Sequence, residues 1–237
     1  MSLMASLKAQ SASKKYQSGD TEGAKKLFEE AFSMGLKEPR YILSYSVLLL
    51  RNGEYQKARE LLVEHQSNPL LNSESKRQLF MNYSVCVYKL GELEKAIRIL
   101  EGQHAKEPTG LIYQTLGYLY VVAGDKEKAL AFNQEALEYD DEDPITLDNL
   151  GQTYYRLTDD KETAKQYFLK ALEYKPGQID TLYFLSQFDI AEGNKAAAVE
   201  KLQKAMEGRF SPLNYASKEL IEEQLKALGA CAQEPLE

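Results

Sequence analysis

The sequence predicts an all-α fold in which one helix-turn-helix unit is repeated about six times. A glycine recurs at the turn of the unit, at Gly19, Gly53, Gly91, Gly124 and Gly193. An alanine recurs in the helix that follows, at Ala24, Ala58, Ala96, Ala129, Ala164 and Ala198. The alanines are separated by steps of 34, 38, 33, 35 and 34 residues. Two markers that keep the same phase along the chain indicate a stack of repeats.

Each unit is predicted to hold two amphipathic helices, A and B, joined by a tight turn. In the fifth unit Leu147, Leu150 and Tyr154 are spaced three and four apart, which gives helix A one apolar face. We expect the A helices over residues 4–17, 39–52, 73–90, 109–122, 144–157 and 178–191. We expect the B helices over residues 21–35, 55–66, 93–106, 126–138, 160–174 and 195–206.

The order of the units predicts a single repeat domain. Prolines mark the unit junctions, because proline is tolerated at a helix start and resisted in the interior. The predicted repeats are 5–38, 39–72, 73–108, 109–143, 144–177 and 178–212. Residues 213–228 are predicted to form a capping helix over the last repeat, and 229–237 a mobile tail. The 38-residue step predicts a third helix A capped by Asn72 or Ser73, and the 35-residue step places one extra residue near Thr158.

Composition excludes several classes of protein. The formal charge of −7 disfavours nucleic-acid binding, since phosphates repel an acidic surface. The two cysteines, Cys86 and Cys231, form neither a disulfide framework nor a metal cluster. No apolar stretch is long enough to span or insert into a membrane. The expected location is the cytoplasm, with a trimmed N-terminal signal or anchor as the alternative.

The sequence carries no catalytic motif, so we expect no enzyme activity, no cofactor and no metal. His65 and His104 lie on different B helices, where a lone histidine is mostly structural. Cys86 sits among apolar residues and is expected in the core. The acidic run 140–143 lacks the ligand spacing of a calcium loop and is expected to be a solvated helix end.

The fifth unit carries a family resemblance in its small, aromatic and proline positions. The matching residues are Leu147, Leu150, Gly151, Tyr154, Ala164, Phe168, Ala171 and Pro176, of which the two leucines are the large apolar positions of helix A. In this pattern the chain resembles the tetratricopeptide repeat (TPR) family, over about residues 5–212. The resemblance implies a right-handed α-solenoid in which small residues such as Gly117 and Gly151 let helices approach closely. It also implies that the A helices line a concave face on which partners bind.

The phase of the A helices then predicts the residues of this groove. They are Val47, Arg51, Met81, Val85, Tyr88, Gln114, Tyr118, Asp148, Gln152, Tyr155, Tyr183 and Gln187, with Ala9, Ser13, Leu43, Lys89 and Arg156 beside them. Tyrosines among them suit a peptide or helix partner, because they offer contact area and a polar tip. The alternative is that they only pack against the next repeat. The basic residues that some family members use to hold a partner's terminal carboxylate are missing here.

The function predicted from this resemblance is a non-catalytic scaffold that binds a protein or peptide in the groove. The alternative is self-association, in which the Met1–Tyr16 helix or the capping helix fills the groove or an end of another copy. Three departures from the family pattern predict local repacking. His65 and Gln103 occupy the alanine slot of helix B, and Asp189 replaces an aromatic residue beside the capping helix, where we expect it to bond to that helix.

Overall fold

The computed structural model describes residues 3–230, and these residues form α-helices joined by short turns, without strands. The described part contains thirteen α-helices. Their bounds are α1 Leu3–Gln17, α2 Thr21–Ser33, α3 Pro39–Arg51, α4 Tyr55–His65, α5 Ser73–Lys89, α6 Leu93–His104, α7 Gly110–Ala123, α8 Lys126–Tyr139, α9 Pro144–Thr153, α10 Lys161–Tyr174, α11 Ile179–Ala191, α12 Lys195–Met206 and α13 Lys218–Ala227. The predicted all-α repeat fold is confirmed, and each of the twelve predicted A and B helices is present within a few residues of its expected ends.

The helices group into two compact units, Met1–Gln103 and His104–Glu237, and each is described by itself. In the first unit α1 packs on α2 and α3 on α4, while the A helices α1, α3 and α5 pack in sequence. In the second unit α7 packs on α8, α9 on α10 and α11 on α12, and the A helices α7, α9 and α11 again pack in sequence. Each unit is therefore built by stacking helix pairs, as a solenoid requires.

Side chains at the helix starts fix several of the boundaries. The Asn72 side chain accepts from the backbone N–H of Ser75 at 2.8 Å, so the long third helix A is capped as expected. Asp143 likewise accepts from the backbone N–H of Thr146 at 2.8 Å at the start of α9. Asp143, the last residue of the acidic run 140–143, therefore caps the start of a helix.

The turn between helices A and B of the fifth repeat differs in conformation from the turns of the other repeats. Gly124 shows the common solution, a left-handed residue with φ of 75° that ends helix A. In the fifth repeat the extra residue is absorbed by a π-helical turn, Tyr154–Thr158, which continues α9. Asp159 then takes the left-handed conformation with φ of 61°. This repeat therefore replaces the usual turn glycine by a wider helical turn and a strained aspartate.

Close packing at the small-residue positions explains why the repeats need them. A Cβ atom on Gly151 would lie 2.6 Å from ring atoms of Phe168. Phe168 is fully buried and stacks on Phe184, with ring centroids 5.0 Å apart. At Gly117 a Cβ atom would lie 2.1 Å from the side-chain oxygen of the buried Asn133. The predicted requirement for small residues is therefore met by direct contact across the helix pair.

The C-terminal end differs from the prediction in two places. The last helix begins at Lys218 rather than at residue 213, because the backbone N–H groups of Tyr215 and Ala216 donate to the Asp180 carboxylate instead of entering a helix. The carboxylate of Asp189 accepts from Lys201 Nζ of α12 at 2.6 Å and not from the capping helix. Cys231 and the rest of the predicted tail from that residue onward lie outside the described residues.

Candidate functional site

A cavity of about 280 Å³ lies in the first unit across three consecutive A helices. Its lining residues are Ser13, Tyr16 and Gln17 of α1, Leu43, Ser44 and Val47 of α3, and Gln78 of α5. Leu43 and Val47 are one helical turn apart and therefore share one face of α3. The cavity brings together three of the residues that the sequence analysis places on the groove, Ser13, Leu43 and Val47.

The side chains that line this cavity are uncharged, and most of the lining surface is apolar. The Ser13 hydroxyl donates to the Ala9 carbonyl oxygen at 3.0 Å, and the Ser44 hydroxyl donates to the Arg40 carbonyl oxygen at 2.7 Å. These hydroxyl protons are used inside their own helices, so the two serines do not donate to a ligand in the cavity. Such a surface favours an apolar side chain over a charged one.

The predicted groove residues of the first unit range from buried to exposed. Met81 and Val85 are buried in α5, while Tyr88 and Val47 are half-buried and Arg51 is exposed. The half-buried Tyr88 ring lies under Lys89, whose Nζ is 5.5 Å from the ring centroid. Met81 and Val85 thus contribute to packing between repeats in this structure.

In the second unit the predicted groove residues form a connected polar network. Asp148 accepts from the Thr181 hydroxyl at 2.6 Å and from Gln152 Nε2 at 2.8 Å. Gln152 Oε1 in turn accepts from Arg156 Nη1 at 3.1 Å. Asp148 and Gln152 are buried together with Tyr118 and Tyr183, whereas Gln114, Tyr155 and Gln187 are half-buried.

The half-buried members of this set also have internal partners. Gln187 exchanges two hydrogen bonds with Gln224 of α13, at 2.7 and 3.1 Å. The Tyr155 ring contacts Phe188 at a centroid distance of 5.5 Å and lies 3.5 Å from Lys161 Nζ. In the second unit, packing against neighbouring elements accounts for much of the predicted groove.

Asp180 is a buried polar residue that sequence reasoning missed. It belongs to the first turn of α11, where an acidic residue is common because it offsets the helix dipole, so its position gave no distinguishing signal. Burial raises the pKa of Asp180 above its usual value. Burial, followed by the charge of Asp180, raises the pKa of Asp148 to about 7. The two carboxylates belong to consecutive A helices and interact electrostatically.

Cys86 and His104, which the sequence analysis weighed for reactivity, both pack against neighbouring side chains. Cys86 is fully buried, and burial raises the pKa of its thiol to about 12, which disfavours the nucleophilic thiolate. His104 packs edge-on against the rings of Tyr113 and Phe132. Among residues 3–230 no group of three or more histidine, cysteine, aspartate or glutamate side chains is placed to hold a metal ion. Over the same described range, none of the helices combines the length and the apolar character needed to cross a bilayer.

Family models for the tetratricopeptide repeat match the chain in both units, at residues 11–69 and at residues 146–178. The first match runs from within α1 to beyond α4 and includes six of the seven residues that line the cavity. A curated relative, the Sol locus transcriptional repressor of Clostridium acetobutylicum, is 30% identical over 100 residues. That alignment covers 42% of this chain and 31% of the repressor, so the chain spans about a third of the length of this relative.

Solved structures give the same fold. PilW, described as a widely conserved type IV pilus biogenesis factor, is similar with a TM-score of 0.65 and 19% identity, over 93% of this chain and 98% of that one. A thermophilic TPR protein from Thermus thermophilus also reaches 0.65, with 16% identity over 80% and 98% of the two chains. The MamA protein reaches 0.56, with 19% identity over 74% and 94%. The repeat phase, the stacked helix pairs and these matches together show a tetratricopeptide-repeat solenoid, with the family models matching residues 11–69 and 146–178.

Proposed function

We propose that this protein is a non-catalytic scaffold that binds a segment of another protein on the A-helix face of its first unit. The observation that carries the proposal is the cavity across α1, α3 and α5, because all of its lining side chains are uncharged. At about 280 Å³ the cavity is at the small end for a small-molecule site. It suits one or two anchoring side chains of a longer segment.

The side chains that line the cavity indicate which chemical groups of a partner would bind there. Leu43 and Val47 offer aliphatic contact, and Gln17 and Gln78 offer amide groups next to it. An extended or helical segment with a leucine-like or isoleucine-like anchor would bury apolar surface there and could hydrogen-bond to the amides. A carboxylate or an ammonium group would lose its hydration without gaining a charged partner in the lining.

The proposal is tested by selecting a displayed random-peptide library on the purified protein and measuring the affinity of the enriched peptide by calorimetry. Val47→Asp puts a charge into the cavity, and we expect it to weaken binding by at least about ten-fold. The matched control is Val63→Asp, because Val63 lies on α4 and is 42% exposed. Equal affinity for both variants and the wild type, or no enriched peptide, would refute the proposal.

Self-association is the second candidate, and it is favoured by exposed apolar residues at the start of α1. Leu3, Met4 and Leu7 are 77%, 55% and 50% exposed, so this end of the helix lacks apolar cover. A second copy could supply that cover. Light scattering over a range of concentrations should then show a dimer or larger species that Leu3→Lys with Leu7→Lys returns to monomer, and a monomer throughout would eliminate this candidate. A cytoplasmic location stays a prediction.

A further inference from the structure

The segment between α12 and α13 is hydrogen-bonded to α11 through the carboxylate of Asp180, and its Tyr215 ring also packs on Phe184 with ring centroids 4.9 Å apart. Asp180 Oδ2 accepts from Asn214 Nδ2 at 3.2 Å and from the backbone N–H of Tyr215 at 3.0 Å. Asp180 Oδ1 accepts from the backbone N–H of Ala216 at 3.0 Å. Ala216 is fully buried, as are Ile221 and Leu225 of α13, so these bonds fix the point where the C-terminal helix joins the core.

A second buried carboxylate lies on the adjacent A helix. Asp148 of α9 is 3% exposed and accepts from the hydroxyl of Thr181, the residue that follows Asp180. Its other oxygen accepts from Gln152. Two carboxylates that are both shielded from water repel each other when both are ionised, and each loses hydration. The ionised pair therefore opposes the closed arrangement of this region.

One cation acts on the pair. Arg156 of the π-helical turn lowers the pKa of Asp180 through its charge, although burial outweighs this effect. Its guanidinium carbon lies 4.6 Å from the centroid of the Tyr215 ring, on the segment that Asp180 holds. Arg156 thus favours an ionised Asp180 and leaves Asp148 as the member of the pair that takes up a proton first.

The remaining charged groups on the packed elements do not offset the charge of Asp148. Of the helices that pack on α9, α7 carries no charged side chain and those of α8 are exposed. On α10, Lys165 is paired with Glu192 and Lys170 donates to the Asp141 carbonyl oxygen.

On α11, burial raises the pKa of Tyr183 to about 12, so its hydroxyl is neutral near pH 7. On α12 the charge of Lys201 is paired with Asp189. On α13 the residue that hydrogen-bonds to α11 is the neutral Gln224.

We propose that the Asp148–Asp180 pair is a pH-sensitive latch that docks residues 211–227 tightly when the pair holds one proton and loosens them when both carboxylates are ionised. Opening of this segment admits water to Asp180 and relieves the repulsion within the pair. It also uncovers the apolar surface beneath Ala216, Ile221 and Leu225. The latch lies in the second unit, and its proposal does not rest on the binding function proposed above.

The direction of the pH effect on the latch follows from the raised pKa of Asp148. Its pKa in the closed state, about 7, lies above the ordinary value of 3.8, so the proton binds the closed state more tightly. The stabilisation is fully present at low pH and is lost as the pH rises through about 7. For one proton, the opening constant should rise about ten-fold between pH 6 and pH 8.

Hydrogen exchange tests the latch in the full chain. We would measure protection of the amides of residues 215–227 at pH 6 and pH 8, each corrected for the intrinsic exchange rate. The expected result is about ten-fold less protection at pH 8. Asp148→Asn removes the ionisable group while keeping its shape, and should give equal protection at both pH values. Asp189→Asn is the control carboxylate and should keep the wild-type dependence.

Equal corrected protection of the wild type at the two pH values would overturn the latch, as would an unchanged dependence in Asp148→Asn. If that variant does not fold, tryptic cleavage of the wild type after Arg209 decides the question. The cleavage rate of the protein, divided by the cleavage rate of an unstructured peptide with the same sequence, should be about ten-fold higher at pH 8 than at pH 6. A ratio that does not change with pH would overturn the latch equally.

Discussion

Replacing Gly151 by alanine tests the packing between helices A and B of the fifth repeat. The new Cβ atom would lie 2.6 Å from two atoms and 2.9 Å from a third atom of the Phe168 ring. Phe168 is fully buried and stacked on Phe184, so its ring has no free direction in which to move. Overpacking of this kind costs about 1–3 kcal/mol, while alanine gains about 1 kcal/mol over glycine inside a helix. We expect the overpacking to outweigh the helix gain, so that the net loss is up to about 2 kcal/mol.

The control for this substitution is Gly102→Ala in α6. Gly102 is also helical, but a Cβ atom there would meet no other atom within 4 Å, so alanine should stabilise by about 0.4–1 kcal/mol. Urea denaturation followed by far-ultraviolet circular dichroism gives the free energy of unfolding of both variants. The reasoning would be refuted if Gly151→Ala proved as stable as the wild type or shared the gain of Gly102→Ala.

Three further predictions concern strain, pH and reactivity. Asp159→Gly should stabilise the protein by about 0.5–1 kcal/mol in urea denaturation, because glycine adopts φ of 61° without strain. Gly124→Ala should destabilise the protein by about 1 kcal/mol, because alanine is strained at φ of 75°. The unfolding free energy should fall as the pH rises from 5 to 8, because the pKa of Asp148 in the folded state, about 7, exceeds its value in the unfolded state. The slope should be at most about 1.4 kcal/mol per pH unit, and Asp148→Asn should flatten it. With Cys231 replaced by alanine, Cys86 should react with a thiol reagent only on unfolding, and rapid labelling of the native protein would contradict its burial.

The fold could be predicted closely because its signals are local. Proline, glycine and capping side chains define helix ends through backbone chemistry that needs no tertiary information, as Asn72 shows at α5. The phase of the small residues then fixes which helix faces meet. The extra residue of the fifth repeat was also visible as a 35-residue step, although its outcome, a π-helical turn, depends on packing.

The candidate site could be predicted only in part, because side-chain partners are tertiary. Helical phase predicted Val47 for the groove, and Val47 lines the cavity, but helical phase could not show that Asp148 and Asp180 are both buried. The start of α13 was missed for the same reason, since the hydrogen bonds to Asp180 come from 34 to 36 residues away. Asp189 pairs with Lys201 of its own repeat instead of bonding to the capping helix, and helical phase alone does not decide between these two partners.

The central claim is that a partner segment binds across α1, α3 and α5. Methyl resonances of the purified protein, recorded during titration with the library-selected peptide, test it most directly. The account predicts that the methyl groups of Leu43 and Val47 shift, while those of Val63 on α4 stay in place. Shifts at Val63 with Leu43 and Val47 unmoved would place the partner on the B-helix face and contradict the account.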